Sequence, residues 1–146
     1  MSQVFTSPAK VLSWDEDRSP NTQSTLPRLT PATVKMNLSE LNTEITSTYQ
    51  MMYLPAGGGR EKDGSAVFIF SDVLESQDFQ GKAGSFMTQG KGTFDAMKFR
   101  VQGSFEIVPG SGKGELGEMF KNGGSGSFES DEKDPGQVNY KFELPA

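Results

Sequence analysis

Cysteine and histidine are both absent from this chain. Without a thiol or an imidazole, the protein lacks the groups for a cysteine nucleophile, a Ser-His-Asp triad, or the usual zinc, copper and haem sites. A metal would need oxygen ligands alone, and no segment has the dense carboxylate spacing of a calcium loop. The sequence therefore predicts no metal and no cofactor, and it designates no catalytic residue.

Positive charge is also scarce. The 14 Lys and Arg residues are scattered without a cluster, 19 Asp and Glu residues outnumber them, and the net charge is −5. Nucleic acids and anionic membrane surfaces are recognised through basic patches, so we expect neither as a partner. No apolar run approaches the ~20 residues of a membrane span, and positions 1–20 lack the pattern of a signal peptide. We expect a soluble, cytoplasmic protein.

Glycine and proline are abundant, with 17 and 8 residues. Together with a hydrophobic content of 34%, they are typical of a turn-rich β protein rather than a helical bundle. The 146 residues are expected to form a single β-barrel domain over positions 1–146. A polar stretch with three prolines predicts a long loop at 15–31, and a Gly-rich excursion at 109–124 leaves room for one short helical turn.

A tripeptide with the sequence Gly-Ser-Phe or Gly-Thr-Phe recurs at 84–86, 92–94, 103–105 and 126–128. Its first three copies start 8 and 11 residues apart. Residues i and i+2 of a strand share a face, so each copy places a Gly beside a Phe. Such a glycine marks a bend, a bulge or a close backbone approach, and a neighbouring ring can cover the gap. The spacing predicts short antiparallel strands in a coiled sheet that closes into a barrel.

Alternation of apolar and polar residues predicts eight strands. They are expected at positions 10–14, 33–39, 43–54, 65–75, 84–91, 93–108, 125–130 and 138–144. Eight antiparallel strands close a barrel just wide enough for packed side chains or one small ligand. The predicted fold is therefore all-β, an eight-stranded antiparallel closed barrel with at most one short helix.

The segment 93–108 carries the clearest alternation and gives the most specific prediction of burial. One face is expected to be exposed at Lys98, Gln102 and Glu106. The other face is expected to be buried and carries Met97, Phe99, Val101, Phe105 and Ile107.

The segment 112–117 matches the pattern G-x-G-x-x-G. A dinucleotide site also needs a helix of several turns, a parallel strand and an acidic residue about 20 positions further on. Only a short excursion separates this motif from the next Gly-rich strand, so we expect no phosphate site here.

Two tyrosines are the best candidates for a ligand site. Tyr49 and Tyr53 share a strand face, and each offers a ring to pack on a ligand and a hydroxyl to orient it, although ordinary core packing is the alternative. Trp14 is the only tryptophan and stands at the lip of the predicted loop, where it can cap the barrel mouth or only plug it. Arg100 would anchor a carboxylate if its face points into the barrel, and otherwise serves solubility.

A pair of carboxylates could act as general acid and base if both faced a dry lumen. The candidates on predicted strands are Glu44, Asp72, Glu75, Asp95 and Glu106. Most carboxylates on alternating strands face water, so no catalytic pair is designated.

Several of these residues occur together in an order that resembles one family. The pieces are Trp14-Asp15-Glu16, Tyr49-x-Met51-x-Tyr53, the tripeptides at 84–86 and 92–94, Val108-Pro109-Gly110-Ser111-Gly112-x-Gly114-Glu115-Leu116, and Gly124-x-Gly126-x-Phe128. From about residue 10 to residue 142, the chain resembles bacterial proteins of unknown function with an allene oxide cyclase-like β-barrel. The resemblance implies an eight-stranded antiparallel barrel with an interior cavity, in a fold that is compatible with homo-oligomers, and it brings no established activity.

The chain departs from the pattern of that family at two positions. Relatives often carry a His about where Gly90 stands and a Glu near Asp72. If the family uses these groups chemically, this chain has lost the imidazole.

Three functions remain open from the sequence. The first is a barrel that binds a small apolar or amphipathic ligand, an acid or an oxygenated lipid-like compound, in its interior. The second is a cyclase- or isomerase-like enzyme that acts on an oxygenated lipid-like substrate through cavity shape, and the third is a filled barrel that acts through an oligomer surface. The residues expected at a ligand site are Trp14, Tyr49, Tyr53, Phe68, Phe70, Asp72, Phe86 and Arg100.

Overall fold

The computed structural model describes residues 3–17, 26–134 and 137–145. Its strands form one closed barrel in which each strand pairs antiparallel with its neighbours in sequence and β1 closes on β8. The elements are β1 Gln3–Glu16, β2 Arg28–Leu38, β3 Thr43–Leu54, β4 Ser65–Phe79, β5 Lys82–Asp95, β6 Arg100–Ile107, α1 Gly114–Met119, β7 Gly124–Ser130 and β8 Val138–Leu144. The predicted all-β, eight-stranded antiparallel closed barrel with one short helix is confirmed.

Strand lengths differ from the prediction mainly at β1. The strands β3 and β8 have the predicted bounds, whereas β1 begins at Gln3, earlier than predicted, because its first half pairs with β8. Its second half pairs with β2, so β1 continues to Glu16, and β2 already begins at Arg28 because residues 28–31 pair with β3. The predicted loop 15–31 is therefore too long at both ends, and positions 18–25 of it lie outside the described residues.

The prediction of one strand over 93–108 is wrong. The strand β5 ends at Asp95, and a turn separates it from β6. The Asp95 carboxylate accepts hydrogen bonds from the backbone N–H groups of Met97 (2.9 Å) and Lys98 (3.3 Å), which fixes the turn. Phe99 then adopts a φ of 55°, which is typical of turns and not of strands.

Burial along this segment follows from the turn. Met97 and Phe99, which are predicted to be buried, lie in the turn and are 54% and 63% exposed. Phe105 and Ile107 are buried as predicted, and Val101 is half-buried. The polar residues of the other face are exposed as predicted, namely Lys98, Gln102 and Glu106. The apolar alternation thus continues through a turn that one Asp side chain organises.

Glycine and phenylalanine meet across neighbouring strands inside the barrel. The directly opposed pairs are Phe68 with Gly92, Phe128 with Gly103, and Phe105 with Gly126. A side-chain carbon on any of these glycines would come within 2.5 Å of the opposing ring. Each glycine therefore leaves the space that an inward-facing ring occupies, and the ring comes from the adjacent strand rather than from the same tripeptide.

One end of the barrel, which we call the closed end, is filled by aromatic side chains and by the segment around α1. Leu116 of the helix and Phe120, which caps it, point into the barrel and are 0% and 2% exposed. The rings of Phe120 and Phe86 lie 4.5 Å apart between centroids. Phe79 and Phe142 pack edge-on against this pair. Because these side chains fill the closed end, its described residues leave no space for a ligand there.

The glycine motif at 112–117 shapes a tight turn before and within α1. A side-chain carbon on Gly112 would lie 2.3 Å from the Cα atom of Gly117, so the two glycines allow the chain to touch itself. The six-residue helix leads to an antiparallel strand, which is not the arrangement of a dinucleotide site. Within the described ranges, no helix is long and apolar enough to cross a membrane.

Candidate functional site

The opposite end of the barrel, the open end, contains a cavity of about 420 Å³. Fourteen of its sixteen lining residues are apolar or aromatic, and the exceptions are Glu16 and Ser130. The volume falls within the ~300–1,000 Å³ range of small-molecule sites, which are mostly apolar with a few polar groups that orient the ligand. An eight-stranded barrel has room for one such molecule.

Two larger depressions lie on the outside of the sheet, with volumes of about 700 Å³ and 710 Å³. Both are lined in large part by outward-pointing side chains such as Ile69, Lys91 and Ser104. They are open grooves between exposed side chains, so the inner cavity is the better candidate for a small-molecule site.

A hydrogen-bonded cluster stands at the rim of the cavity. The Nε1–H group of Trp14 donates to Oε1 of Glu16 at 2.8 Å, and the hydroxyl of Tyr53 donates to the same oxygen at 2.7 Å. The second carboxylate oxygen of Glu16, Oε2, is buried and has no hydrogen-bond partner among the described residues. The Trp14 ring also packs near that of Tyr49, with 5.8 Å between centroids, and remains 46% exposed.

A positive charge stands next to this rim without lining the cavity. Arg28 is directly opposite Tyr53 in the β2–β3 pair, and its guanidinium carbon lies 4.9 Å from the centre of the tyrosine ring. Its Nε atom is buried and, in the described part of the chain, lacks a hydrogen-bond partner. The ring of Tyr53 is thus held between a cation on its face and the Glu16 carboxylate at its hydroxyl.

Two buried tyrosines form the floor of the cavity. Tyr49 and Tyr140 both line the cavity and are 5% and 2% exposed. Burial raises the pKa of Tyr49, the nearby charge of Asp72 raises it further, and hydrogen bonds with Tyr140 and Ser47 oppose the rise. Burial also raises the pKa of Tyr140 well above its ordinary value. Both hydroxyls therefore stay protonated at neutral pH, and that of Tyr140 donates a hydrogen bond to Sδ of Met36 at 3.9 Å.

A buried carboxyl group lies beneath this floor. Asp72 is 2% exposed and stands directly opposite Ser47 on β3 and Thr88 on β5. Ser47 donates a hydrogen bond to its Oδ1 atom, and Thr88 donates to Oδ2 at 2.8 Å. Burial raises the pKa of Asp72 from 3.8 to about 6, and the two hydroxyl donors oppose the rise. A row of polar side chains thus crosses three strands inside an otherwise apolar barrel.

The structure brings together five of the eight residues expected at a ligand site. Trp14, Tyr49, Tyr53 and Phe68 line the cavity, and Phe70 supports its floor because its ring stacks on Tyr49 at 5.2 Å.

The other three expected residues do not line the cavity. Asp72 lies beneath the floor, and Phe86 packs at the closed end against Phe120. Arg100 is on the opposite face of β6 from the cavity-lining Val101, and its Nη2 atom donates to the backbone carbonyl of Ser130 at 2.9 Å. Arg100 is therefore not a lumenal anchor for a carboxylate.

Sequence reasoning missed two polar residues of the site, Glu16 and Tyr140. Glu16 is two positions after Trp14, so it shares the face of that tryptophan once β1 is extended to its true end. Tyr140 lies on the apolar face of β8, whose bounds the alternation gives correctly.

The other strand carboxylates do not form a pair inside the barrel. Glu44, Glu75 and Glu106 are exposed, and Asp95 holds the β5–β6 turn. Within residues 3–17, 26–134 and 137–145, no three acidic side chains converge closely enough to hold a metal ion.

Comparisons with known proteins identify a family. The sequence model of a family described as "Protein of unknown function (DUF3224)" matches residues 5–144. A crystal structure of a protein with unknown function from the DUF3224 family of Shewanella oneidensis is similar in fold, with a TM-score of 0.71 and 21% sequence identity. The match covers 98% of this chain and 96% of that one. No curated protein matches the sequence.

Proposed function

The chain belongs to the DUF3224 family of proteins of unknown function, and we propose that it binds one small, largely apolar or amphipathic molecule in the open end of its barrel. The observation that carries this proposal is the cavity of about 420 Å³ with its apolar and aromatic lining. A barrel that served only as a core would fill this space with side chains, as the closed end does.

The few polar groups are placed as a ligand site requires. Tyr49 and Tyr140 line the floor and Glu16 is at the rim, so a ligand would meet mostly apolar walls and a few polar side chains. The rings of Trp14 and Phe99 are exposed at the mouth, where they can close over a bound molecule.

Displacement of a neutral fluorescent probe, N-phenyl-1-naphthylamine, tests this proposal. Native mass spectrometry of the purified protein tests in parallel whether a molecule copurifies. Val101→Trp places a large ring in the cavity and is expected to weaken probe binding by more than about tenfold. Gln102→Trp is the matched control, because residue 102 lies on the same strand and is exposed on the outer face. Failure of the wild type to bind the probe, or equal binding by both variants, would reject the cavity as a site.

A cyclase or isomerase on an allene oxide cyclase-like barrel is the second candidate. The specific observation in its favour is the buried Asp72, which is connected to the floor hydroxyl of Tyr49 through Ser47. This series of hydrogen-bonded groups could move a proton to or from a carbonyl or epoxide oxygen of a bound, oxygenated lipid-like substrate.

The two candidates differ in what Asp72→Asn should do. An isomerase would convert an unsaturated epoxide or ketone without change of mass, and this variant would stop the conversion while probe affinity stays within about twofold. A binding protein would show no conversion by either form in chromatographic analysis of the products.

A further inference from the structure

The Glu16 carboxylate is held in one position, and only one of its two oxygens accepts hydrogen bonds from the described residues. Its Oε1 atom receives hydrogen bonds from the Trp14 indole and the Tyr53 hydroxyl, which fix the group at the rim. Its Oε2 atom is buried and has no hydrogen-bond partner among the described residues. Buried polar atoms in native proteins are paired in the large majority of cases, so this oxygen calls for a donor that the described residues do not supply.

The surroundings of this oxygen favour a positively charged donor. Of the described residues that line the cavity, Glu16 is the only charged one. Aromatic rings surround the mouth, among them Trp14, Tyr53, Phe94 and Phe99, and the last two meet edge-on at 5.6 Å. The faces of such rings attract cations, most strongly that of tryptophan. A carboxylate head group would instead meet the negative charge of Glu16 in a partly dry site.

We propose that the ligand is an amphipathic amine whose ammonium group donates a hydrogen bond to Oε2 of Glu16 while its apolar part fills the cavity. This inference rests on the proposed function, since it specifies the ligand of the same cavity. It also replaces the expectation of an acidic ligand. Arg100 is the side chain expected to anchor the carboxylate of such a ligand, but it points away from the cavity and donates a hydrogen bond to the backbone carbonyl of Ser130.

Arg28 is the feature that argues for the opposite polarity. Its guanidinium lies over Tyr53, near the rim, and its Nε atom is buried without a partner among the described residues. Arg28 does not line the cavity, however, whereas Glu16 does. The test therefore has to separate an amine held by Glu16 from an acid held by Arg28.

Three competitors with one chain length and different head groups make that separation. Decylamine, decanol and decanoic acid are titrated, below their critical micelle concentrations and at pH 7.5, against the protein loaded with N-phenyl-1-naphthylamine. Decylamine is expected to bind on the order of tenfold or more tightly than decanoic acid, as a charge-assisted hydrogen bond would give. In Glu16→Gln this preference should fall to about twofold or less.

The matched control is Asp15→Asn, which removes the same charge from the neighbouring position of β1, where the side chain is exposed. It should leave the preference for decylamine unchanged. If the amine preference falls equally in both variants, only the general negative field is responsible and the assignment to Glu16 is rejected. Tighter binding of decanoic acid, with loss of that binding in Arg28→Met, would also reject it.

Failure of this inference can be told apart from failure of the proposed function. If the wild type does not bind the neutral probe, the cavity is not a ligand site. If the probe binds and the three competitors displace it equally, the cavity binds apolar molecules and the amine proposal alone is wrong, with water filling the place of the donor at Oε2.

Discussion

The two ends of this barrel have the same kind of wall and different contents. Both carry inward-facing aromatic residues on alternating strand positions, yet the closed end is packed and the open end encloses a cavity of about 420 Å³. The difference comes from the connections. At the closed end the β6–β7 segment inserts Leu116 and Phe120, whereas the described residues of the connections at the open end, in 55–64, 96–99 and 131–134, are not buried.

The comparison shows that strands alone do not fill a barrel of this size. Inward side chains build the wall and narrow the lumen, but a segment from outside the sheet is needed to complete the packing. The end at which no described connection folds inwards keeps space for a ligand.

Loss of an aromatic ring should be far more costly at the closed end. Phe86→Ala removes a fully buried ring that contacts Phe79, Phe120 and Phe142, so we expect a loss of about 3–5 kcal/mol in the free energy of unfolding. Phe99→Ala at the mouth should cost less than about 1 kcal/mol, because its ring is 63% exposed. Urea unfolding measures both, and equal losses would mean that the mouth is packed as tightly as the closed end.

The polar row between the two ends should make stability depend on pH. The pKa of Asp72 rises from 3.8 to about 6 on folding, so the folded state holds the proton more tightly than the unfolded state. Its contribution is therefore fully present below about pH 4 and is lost as pH rises through about 6. The loss is on the order of 3 kcal/mol, from a difference of about two in pKa at ~1.4 kcal/mol each.

Urea unfolding at pH 4, 5 and 7 checks this prediction against Asp72→Asn. The variant carries no titrating group at this position, so it should lack the part of the pH dependence that Asp72 supplies, while the wild type loses stability towards pH 7. Parallel pH profiles for the two proteins would show that Asp72 does not titrate in this range.

The pairing of rings with glycines should have an intermediate effect. In Gly103→Ala the new carbon would lie 2.4 Å from the ring of Phe128, so we expect a loss of about 1–3 kcal/mol. Ser104→Ala, on the exposed face of the same strand, should change stability by less than ~0.5 kcal/mol. Adding Phe128→Leu to Gly103→Ala should cost less than the sum of the single losses, and simple additivity in this double-mutant cycle would contradict the steric explanation.

Much of the wall could be predicted from the sequence because strand alternation is local. The patterns at β3 and β8 give their bounds and place Tyr49, Tyr53 and Tyr140 on inward faces. The same local rule fails at 93–108, where the apolar residues keep their spacing through the turn at Asp95.

The contents of the barrel could not be predicted in the same way. Alternation does not say which connection folds inwards, and it therefore cannot separate Phe86 at the closed end from Phe68 at the cavity. The role of Glu16 depends on where β1 ends, which is set by pairing with a distant segment of β2. These features arise from contacts between residues far apart in sequence, which a pattern along one strand does not contain.

The smallest effect on stability is expected at the rim. Trp14→Phe keeps a ring at a position that is 46% exposed and removes one hydrogen bond to Glu16, so the free energy of unfolding should change by less than about 1 kcal/mol.

The fluorescence of Trp14 should nevertheless report on the cavity, because Trp14 is the only tryptophan of the chain and lines the open end. Decylamine that enters the cavity would displace water from the indole, so the tryptophan emission of the wild type should shift to shorter wavelength as the cavity fills. Phe86→Leu, a change confined to the closed end, should preserve that shift. If it abolishes the shift while the protein stays folded, the two ends are coupled and the contrast between a packed end and an independent ligand end does not hold.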